Sequence, residues 1–277
     1  MSTVLITGAS GLVGSHILKT LNNKFQWLAP NSKTLDITNS NLTQAYVETH
    51  DFDYCLHLAA YTNVDQAEIE KDKCYQINVL GTNNLFKAVL VKKKPFILVS
   101  TDFVFDGSKP QYDEDSKPNP INYYGQTKFE AEQLVKNKGM IVRLSYPYGS
   151  TNSTKHDFVK AIYLRLKNSQ TVKGITDSKF TPTLLNDIAV GFDYLLNNFQ
   201  NQIFHLVGKE SLSPYEAFIK IAQTFKLNKK LIVPITFEQY FQNKAPRPRL
   251  GTIKSRFSFL QTHRFNEGLS LVKELLS

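Results

Sequence analysis

Tyr124 and Lys128 stand four residues apart in Tyr124-Gly125-Gln126-Thr127-Lys128, which puts a phenol and an ammonium on one face of a helix. A cation beside a phenol lowers its pKa toward neutrality, a setting for proton transfer with a reacting oxygen. Spacing alone does not decide. With 13 tyrosines and 27 lysines in 277 residues, 13 × 27/277 ≈ 1.3 such pairs arise by chance, and three occur. The other two, Tyr163/Lys167 and Tyr240/Lys244, read as helix-surface pairs. Only Tyr124 follows a strand ending in hydroxyls, Val99-Ser100-Thr101-Asp102. Ligands of a parallel sheet bind at the carboxyl ends of its strands, so Thr101 faces the same crevice as a phosphate-binding turn after the first strand.

Such a turn is present. Thr7-Gly8-Ala9-Ser10-Gly11-Leu12-Val13-Gly14 spaces its glycines as G-x-x-G-x-x-G, directly after a strand-like run and ahead of a helical one. Glycine lets the backbone approach a pyrophosphate, and the helix N-terminus supplies free N–H groups and a positive dipole end. Gly8, Ser10, Gly11, Leu12, Val13 and Gly14 are therefore the expected dinucleotide contacts. A carboxylate at the end of the second strand would bind a ribose diol and select NAD. That strand ends instead in Pro30-Asn31-Ser32-Lys33, where Ser32 and Lys33 suit a 2′-phosphate and favour NADP(H). NAD(H) stays open through Asp36, followed by Ile37, as either a diol ligand or an adenine contact.

These groups need a scaffold, and the first half of the chain supplies one. Apolar runs at Thr3–Thr7, Phe25–Ala29, Tyr54–Ala60, Phe96–Ser100 and Met140–Leu144 alternate with helical patterns at Leu12–Leu21, Asp72–Leu90 and Tyr123–Lys138. Alternation at this interval predicts a parallel sheet, and strands apolar on both sides predict helices over both faces. The expected architecture is a doubly wound α/β domain. Past Gly149 the rhythm is irregular: Asp157–Lys167 and Pro214–Phe225 read as helices and Gln202–Val207 as a strand. Residues 1–150 plus 184–208 are expected to bind the dinucleotide, and residues 151–183 plus 209–277 to form a smaller α/β substrate lobe.

Composition excludes several classes. The chain is 42% hydrophobic and 21% charged, ample for a core and unlike a disordered or fibrous protein. No window supplies the ~20 apolar residues of a membrane span, and Met1-Ser2-Thr3-Val4-Leu5 enters a strand with no secretory signal. Cys55 and Cys74 are expected as reduced thiols of a cytoplasmic protein. The net charge of +9 favours anionic partners. Lys92 to Lys94 read as the cationic end of a helix. Lys244 to Arg256 reads as a substrate-diphosphate contact or a solvated surface, and no basic face with stacking aromatics points to nucleic acid. No His/Cys/Asp set has metal-ligand spacing, so no catalytic metal is expected. His57 reads as a buried, hydrogen-bonded histidine.

Glycine turn, hydroxyl strand end and Tyr-x-x-x-Lys together resemble an extended short-chain dehydrogenase/reductase. Longer runs sharpen the likeness. His57-Leu58-Ala59-Ala60-Tyr61-Thr62-Asn63-Val64-Asp65-Gln66-Ala67-Glu68, then Asn78, then Ser100-Thr101-Asp102-Phe103-Val104-Phe105-Asp106-Gly107, then Asn119-Pro120-Ile121-Asn122-Tyr123-Tyr124-Gly125 are similar to the dTDP-4-dehydrorhamnose reductase branch. The likeness continues through Thr181-Pro182-Thr183, Asp187-Ile188-Ala189 and Arg247-Pro248. It implies a Rossmann-like fold and NADP(H)-dependent reduction of a nucleotide-linked 4-keto-6-deoxy sugar for polysaccharide or glycan precursors. It further implies Tyr124 as proton donor to the substrate carbonyl, Lys128 on the nicotinamide ribose and Thr101 on the same carbonyl oxygen. Ala59, Ala60 and Tyr61 would line the cofactor; Asn78 is either a cofactor contact or a local hydrogen-bonding residue.

Departures from the branch fall on the substrate side, expected from Thr62, Asp102, Phe103, Tyr146 and Arg247. Phe103 replaces a usual Tyr, Tyr146 stands where a Trp is usual, and Arg247-Pro248-Arg249 runs into Leu250-Gly251 instead of Asn-Ser. These changes leave two further readings. One is a cofactor-binding regulatory subunit without turnover, similar to the methionine adenosyltransferase β-subunit. The other is a nucleotide-sugar epimerase or dehydratase. Homo-oligomerisation is left open.

Overall fold

A computed structural model describes residues 1–150, 156–259 and 261–276. The chain runs β1 (Thr3–Thr7), α1 (Leu12–Thr20), β2 (Gln26–Leu28), α2 (Ser40–Thr49), β3 (Tyr54–His57), α3 (Val64–Ala67), α4 (Lys71–Tyr75), a π-helical stretch (Gln76–Gly81), α5 (Thr82–Val91) and β4 (Phe96–Thr101). It continues through α6 (Tyr123–Val135), β5 (Met140–Leu144), β6 (Pro147–Tyr148), α7 (Phe158–Lys167), β7 (Val172–Ile175), β8 (Lys179–Phe180), β9 (Thr183–Leu184) and α8 (Leu185–Asn197). Last come β10 (Ile203–Leu206), α9 (Pro214–Thr224), β11 (Ile232–Ile235), α10 (Phe237–Phe241), β12 (Leu250–Gly251) and α11 (Phe265–Leu276).

Six parallel strands form the central sheet in the order β10-β5-β4-β3-β1-β2, with Leu5 opposite Cys55 and Leu98 opposite Ile141. Val4, Leu5 and Ile6 are all fully buried, because helices cover both faces. Ile17 of α1 and Ile188 and Phe192 of α8 pack with Val4 and Ile6. Val47, Leu85 and Ala131 of α2, α5 and α6 pack with Leu5 on the other face. Strand order reverses between β1 and β3, which opens a crevice at their carboxyl ends. The doubly wound sheet expected from the apolar runs is thus the observed one. A third apolar cluster joins α7, α9 and α11 through Val159, Ile221 and Leu269.

Residues 185–197 form α8, with Asn186, Val190, Tyr194 and Asn197 exposed on one face and Ile188, Phe192 and Leu195 buried on the other. The run expected as a strand over Gln202–Val207 forms β10, which joins the main sheet beside β5 with Phe204 opposite Val142. The helix expected over residues 72–90 is broken by the π-helical turn, where Asn78 faces inward. Residues 151–155, at the start of the expected substrate lobe, lie outside the described residues.

One buried ion pair fixes the helix that carries Tyr124. Arg143 of β5 gives two hydrogen bonds to Glu132 of α6, at 2.6 and 2.8 Å, and its guanidinium lies over the Phe105 ring. Bidentate geometry fixes direction as well as distance, so α6 is held against the sheet in one orientation.

Candidate active site

A cavity of about 1130 Å³ opens at the carboxyl ends of the strands. Its floor is the glycine turn. Gly8 adopts φ +72°, and a Cβ there would stand 2.6 Å from Ala59 N. A Cβ on Gly14 would stand 2.5 Å from Gly8 O. Gly11 is the N-cap of helix α1 and has no side chain to cap it, so the helix's first N–H groups remain available to a ligand. A backbone-lined cradle against an uncapped helix start fits a pyrophosphate.

The adenosine side is lined by Asn31, Ser32, Asp36 and Ile37. Asn31 Oδ1 accepts from the N–H groups of Lys33 and Thr34, which shapes the turn. That turn leaves Ser32 on the cavity wall and Lys33 exposed outside it. Asp36 Oδ1 accepts from Thr38 N and Oγ1. Beyond β3, Ala59, Ala60 and Thr62 line the cavity, whereas Tyr61 turns away to donate to Glu70 at 2.6 Å. Asn78 also lies outside the lining. Its amide clamps Tyr61 N and O and reaches Thr127 Oγ1 of α6 at 3.0 Å. Its contact is local, and it fixes the backbone that presents Ala59 to Thr62.

At the other end of the cavity the sheet brings Thr101, Tyr124 and Lys128 together. Asn122 caps α6 by accepting from Gly125 N at 2.7 Å. Gly125 packs directly on the Phe103 carbonyl, and the Phe103 ring meets Tyr124 edge-on at 5.6 Å. Lys128 Nζ donates to Val99 O at 2.8 Å, and burial lowers its pKa to about 8. Burial pushes the Tyr124 phenol above its usual value, opposed by a hydrogen bond with Thr101. Desolvation is the largest effect on the phenol and outweighs the Thr101 hydrogen bond, so it lies above its usual value where a neighbouring cation alone would lower it. Tyr124 is held as a neutral acid.

Asp102, Phe103 and Tyr146 line the same end. Tyr146 takes φ +40°, a strained backbone for a bulky residue, with its ring 4.5 Å from Phe180. Arg247 is not in the lining. Its guanidinium donates to Asp65 and to Ala245 O at 2.6 Å and lies over Phe241. Asp65 also accepts from Ala245 N, and Asn122 donates to Pro246 O, so residues 245–247 form a strap beside the start of α6. Lys73, Gln76 and His156 line the cavity without a sequence signal except their polarity. His57 is buried between Thr7 and Thr82 hydroxyls at 2.6 and 3.0 Å, and burial lowers its pKa to about 3. Among the described residues no His/Cys/Asp/Glu group could hold a metal, and no helix is long and apolar enough to cross a membrane.

The family model described as "RmlD substrate binding domain" matches residues 1–269. The chain belongs to this family. Among RmlD-family relatives, a dTDP-4-dehydrorhamnose reductase of Aggregatibacter actinomycetemcomitans is 32% identical over 90% of this chain and 89% of its own. The structure of a dTDP-4-dehydrorhamnose reductase from Bacillus anthracis, in complex with NADP, superposes with a TM-score of 0.92 at 31% identity, covering 99% of both chains. Methionine adenosyltransferase 2 subunit beta of Bos taurus is 28% identical over 88% of this chain and 78% of its own. The family match takes in both the glycine turn and the strap, so the cavity and the residues flanking it are covered by one family.

Proposed function

We propose that this protein is an NADP(H)-dependent reductase of a nucleotide-linked 4-keto-6-deoxy sugar, acting in the cytoplasm. The observation that carries this reading is Thr101, Tyr124 and Lys128 gathered at one end of a cavity whose other end is a backbone-lined phosphate cradle. Its support from relatives is the reductase in complex with NADP, 31% identical over nearly the whole chain. A nicotinamide dinucleotide held by the glycine turn and Lys128 would supply the hydride. Tyr124, kept neutral by burial, donates its phenolic proton to the oxygen that gains charge, and Thr101 hydrogen-bonds that oxygen. Lys128 is anchored on Val99 O, and its remaining N–H groups would hold the nicotinamide ribose. Ser32 is the 2′-phosphate contact on the wall. Residues 1–150 plus 184–208 hold the dinucleotide and the remainder the sugar nucleotide. Two buried, unpaired thiols agree with a reducing compartment.

The test is NADPH oxidation with dTDP-4-keto-6-deoxyglucose and its GDP and UDP analogues. Tyr124→Phe deletes only the proton donor and is expected to lower kcat at least a hundredfold; undiminished turnover would refute the assigned acid. A second reading, a non-catalytic regulatory subunit, is favoured by the likeness to methionine adenosyltransferase 2 subunit beta. It predicts a stably co-purifying enzyme and no oxidation of NADPH with any keto sugar.

A further inference from the structure

Asp102 is the first residue past β4 and lies 3% exposed against the active-site cavity. Among the described residues no cation pairs with it. Its Oδ1 accepts from Thr101 Oγ1 at 3.1 Å and its Oδ2 from Ser145 Oγ at 2.8 Å. Thr101 in turn meets the Tyr124 phenol and accepts from Phe103 N at 3.3 Å. A hydroxyl carries one proton. In this arrangement Thr101 spends that proton on Asp102 and has none to offer a substrate oxygen.

We propose that Asp102 is a positioning residue that switches the Thr101 hydroxyl. When its carboxyl carries a proton on Oδ1, it donates to Thr101 Oγ1 and frees the Thr101 proton for the substrate carbonyl oxygen. When ionised, it holds that proton back. This rests on the reductase reading above.

The surroundings leave Asp102 as the group that titrates. From α6 it is faced by Tyr124, and from the turn after β5 by Ser145 and Tyr146. Burial pushes Tyr124 above its usual value, and both phenols stay neutral between pH 5 and 8. On the β12 side the neighbour is Gly251, where a Cβ would stand 3.9 Å from Oδ2. The arginines flanking that strand, Arg247 and Arg249, are paired with Asp65 and Asp177. Burial raises the Asp102 pKa to about 6, against the two hydroxyl bonds that lower it. A rate that follows the protonated fraction is level below about pH 5 and falls about tenfold per pH unit well above 6.

The experiment compares kcat between pH 5 and 8 for wild type, Asp102→Asn and Ser145→Ala. The amide of Asp102→Asn can donate to Thr101 at every pH, so its profile is expected to be flat where the wild type falls. Ser145→Ala removes a bond that favours the charged form, so its limb moves to higher pH. The same limb in Asp102→Asn, or an unmoved limb in Ser145→Ala, overturns the proposal. A second readout needs no turnover. Infrared difference spectra of the cofactor-free protein, with Asp102→Asn as blank, follow the carbonyl stretch of the protonated acid. A midpoint near 6 that rises in Thr101→Val supports the Thr101–Asp102 coupling; an ordinary carboxylate midpoint overturns it. No turnover of any keto sugar, with the infrared midpoint in place, refutes the reductase reading while supporting the proton site.

Discussion

Gly125→Ala is the sharpest probe of how the reacting end is built. A Cβ on Gly125 would press on the Phe103 carbonyl oxygen well inside 3.0 Å, with the Phe103 carbonyl carbon at 3.1 Å. The obstacle is backbone at the start of a tight turn, so it cannot swing aside. Helix α6 must back away by about 1 Å to restore an ordinary contact, and Tyr124 moves with it while Thr101 stays rooted in β4. A displacement of that size costs about a hundredfold in rate, or about 2.7 kcal/mol in the barrier. Overpacking adds about 1–3 kcal/mol of lost stability. Without the clash, Gly to Ala inside a helix would instead stabilise by about 1 kcal/mol. The assay is kcat from NADPH oxidation, with NADPH Kd by titration and Tm by thermal melting. Expected are a hundredfold lower kcat, a lower Tm and a Kd within about threefold, since the glycine turn sits on other elements. A stabilised variant with kcat within threefold of wild type would refute the packing argument.

Two other expectations follow from burial. Lys33→Asp exchanges an exposed charge outside the cavity lining, so the ratio of NADPH to NADH affinity should drop by no more than about fivefold, in keeping with about 1 kcal/mol for exposed charges. Reversal to a strong NADH preference, read by isothermal titration, would place Lys33 on the 2′-phosphate after all. His57 has its pKa depressed to about 3 against 6.5 in the unfolded chain. Below pH 6.5 the unfolded state therefore binds the extra proton, and stability is lost as pH falls from 6.5 toward 3. Between pH 7 and 5 this one group costs about 2 kcal/mol. Urea unfolding at the two pH values should show His57→Gln losing that much less than wild type.

Much of the architecture was legible because it depends on local chemistry. Val4, Leu5 and Ile6 lack alternation, and only a sheet covered on both faces explains such a run. Gly8, Gly11 and Gly14 stand where backbone must approach backbone, so their spacing foretold the turn. Tyr124 and Lys128 share a helix face through periodicity alone. What stayed hidden depends on partners remote in the chain. Ile188 and Phe192 of α8 meet Val4 and Ile6, about 180 positions earlier in the chain, and no local pattern names that partner. Lys33 lies exposed and outside the cavity lining, in a turn that Asn31 shapes through its own carboxamide. The Tyr124 phenol is raised, not lowered, because desolvation depends on everything packed over it. Asn78 and Tyr61 are neighbours only through the π-helical turn, which no periodicity of 3.6 anticipates.

Asp65 draws its two donors from residues 245 and 247, about 180 positions later. A chain growing from its N-terminus has therefore emerged through β5 long before the strap exists. The glycine turn, Ser32, Thr101 and Tyr124 are all in the earlier part, whereas the strap that lies beside Tyr124's helix is translated near the end. Loops of such length close slowly against their entropy. Synthesis thus fixes an order in which the glycine turn and the Thr101–Tyr124 end are made first and the strap beside α6 is made last.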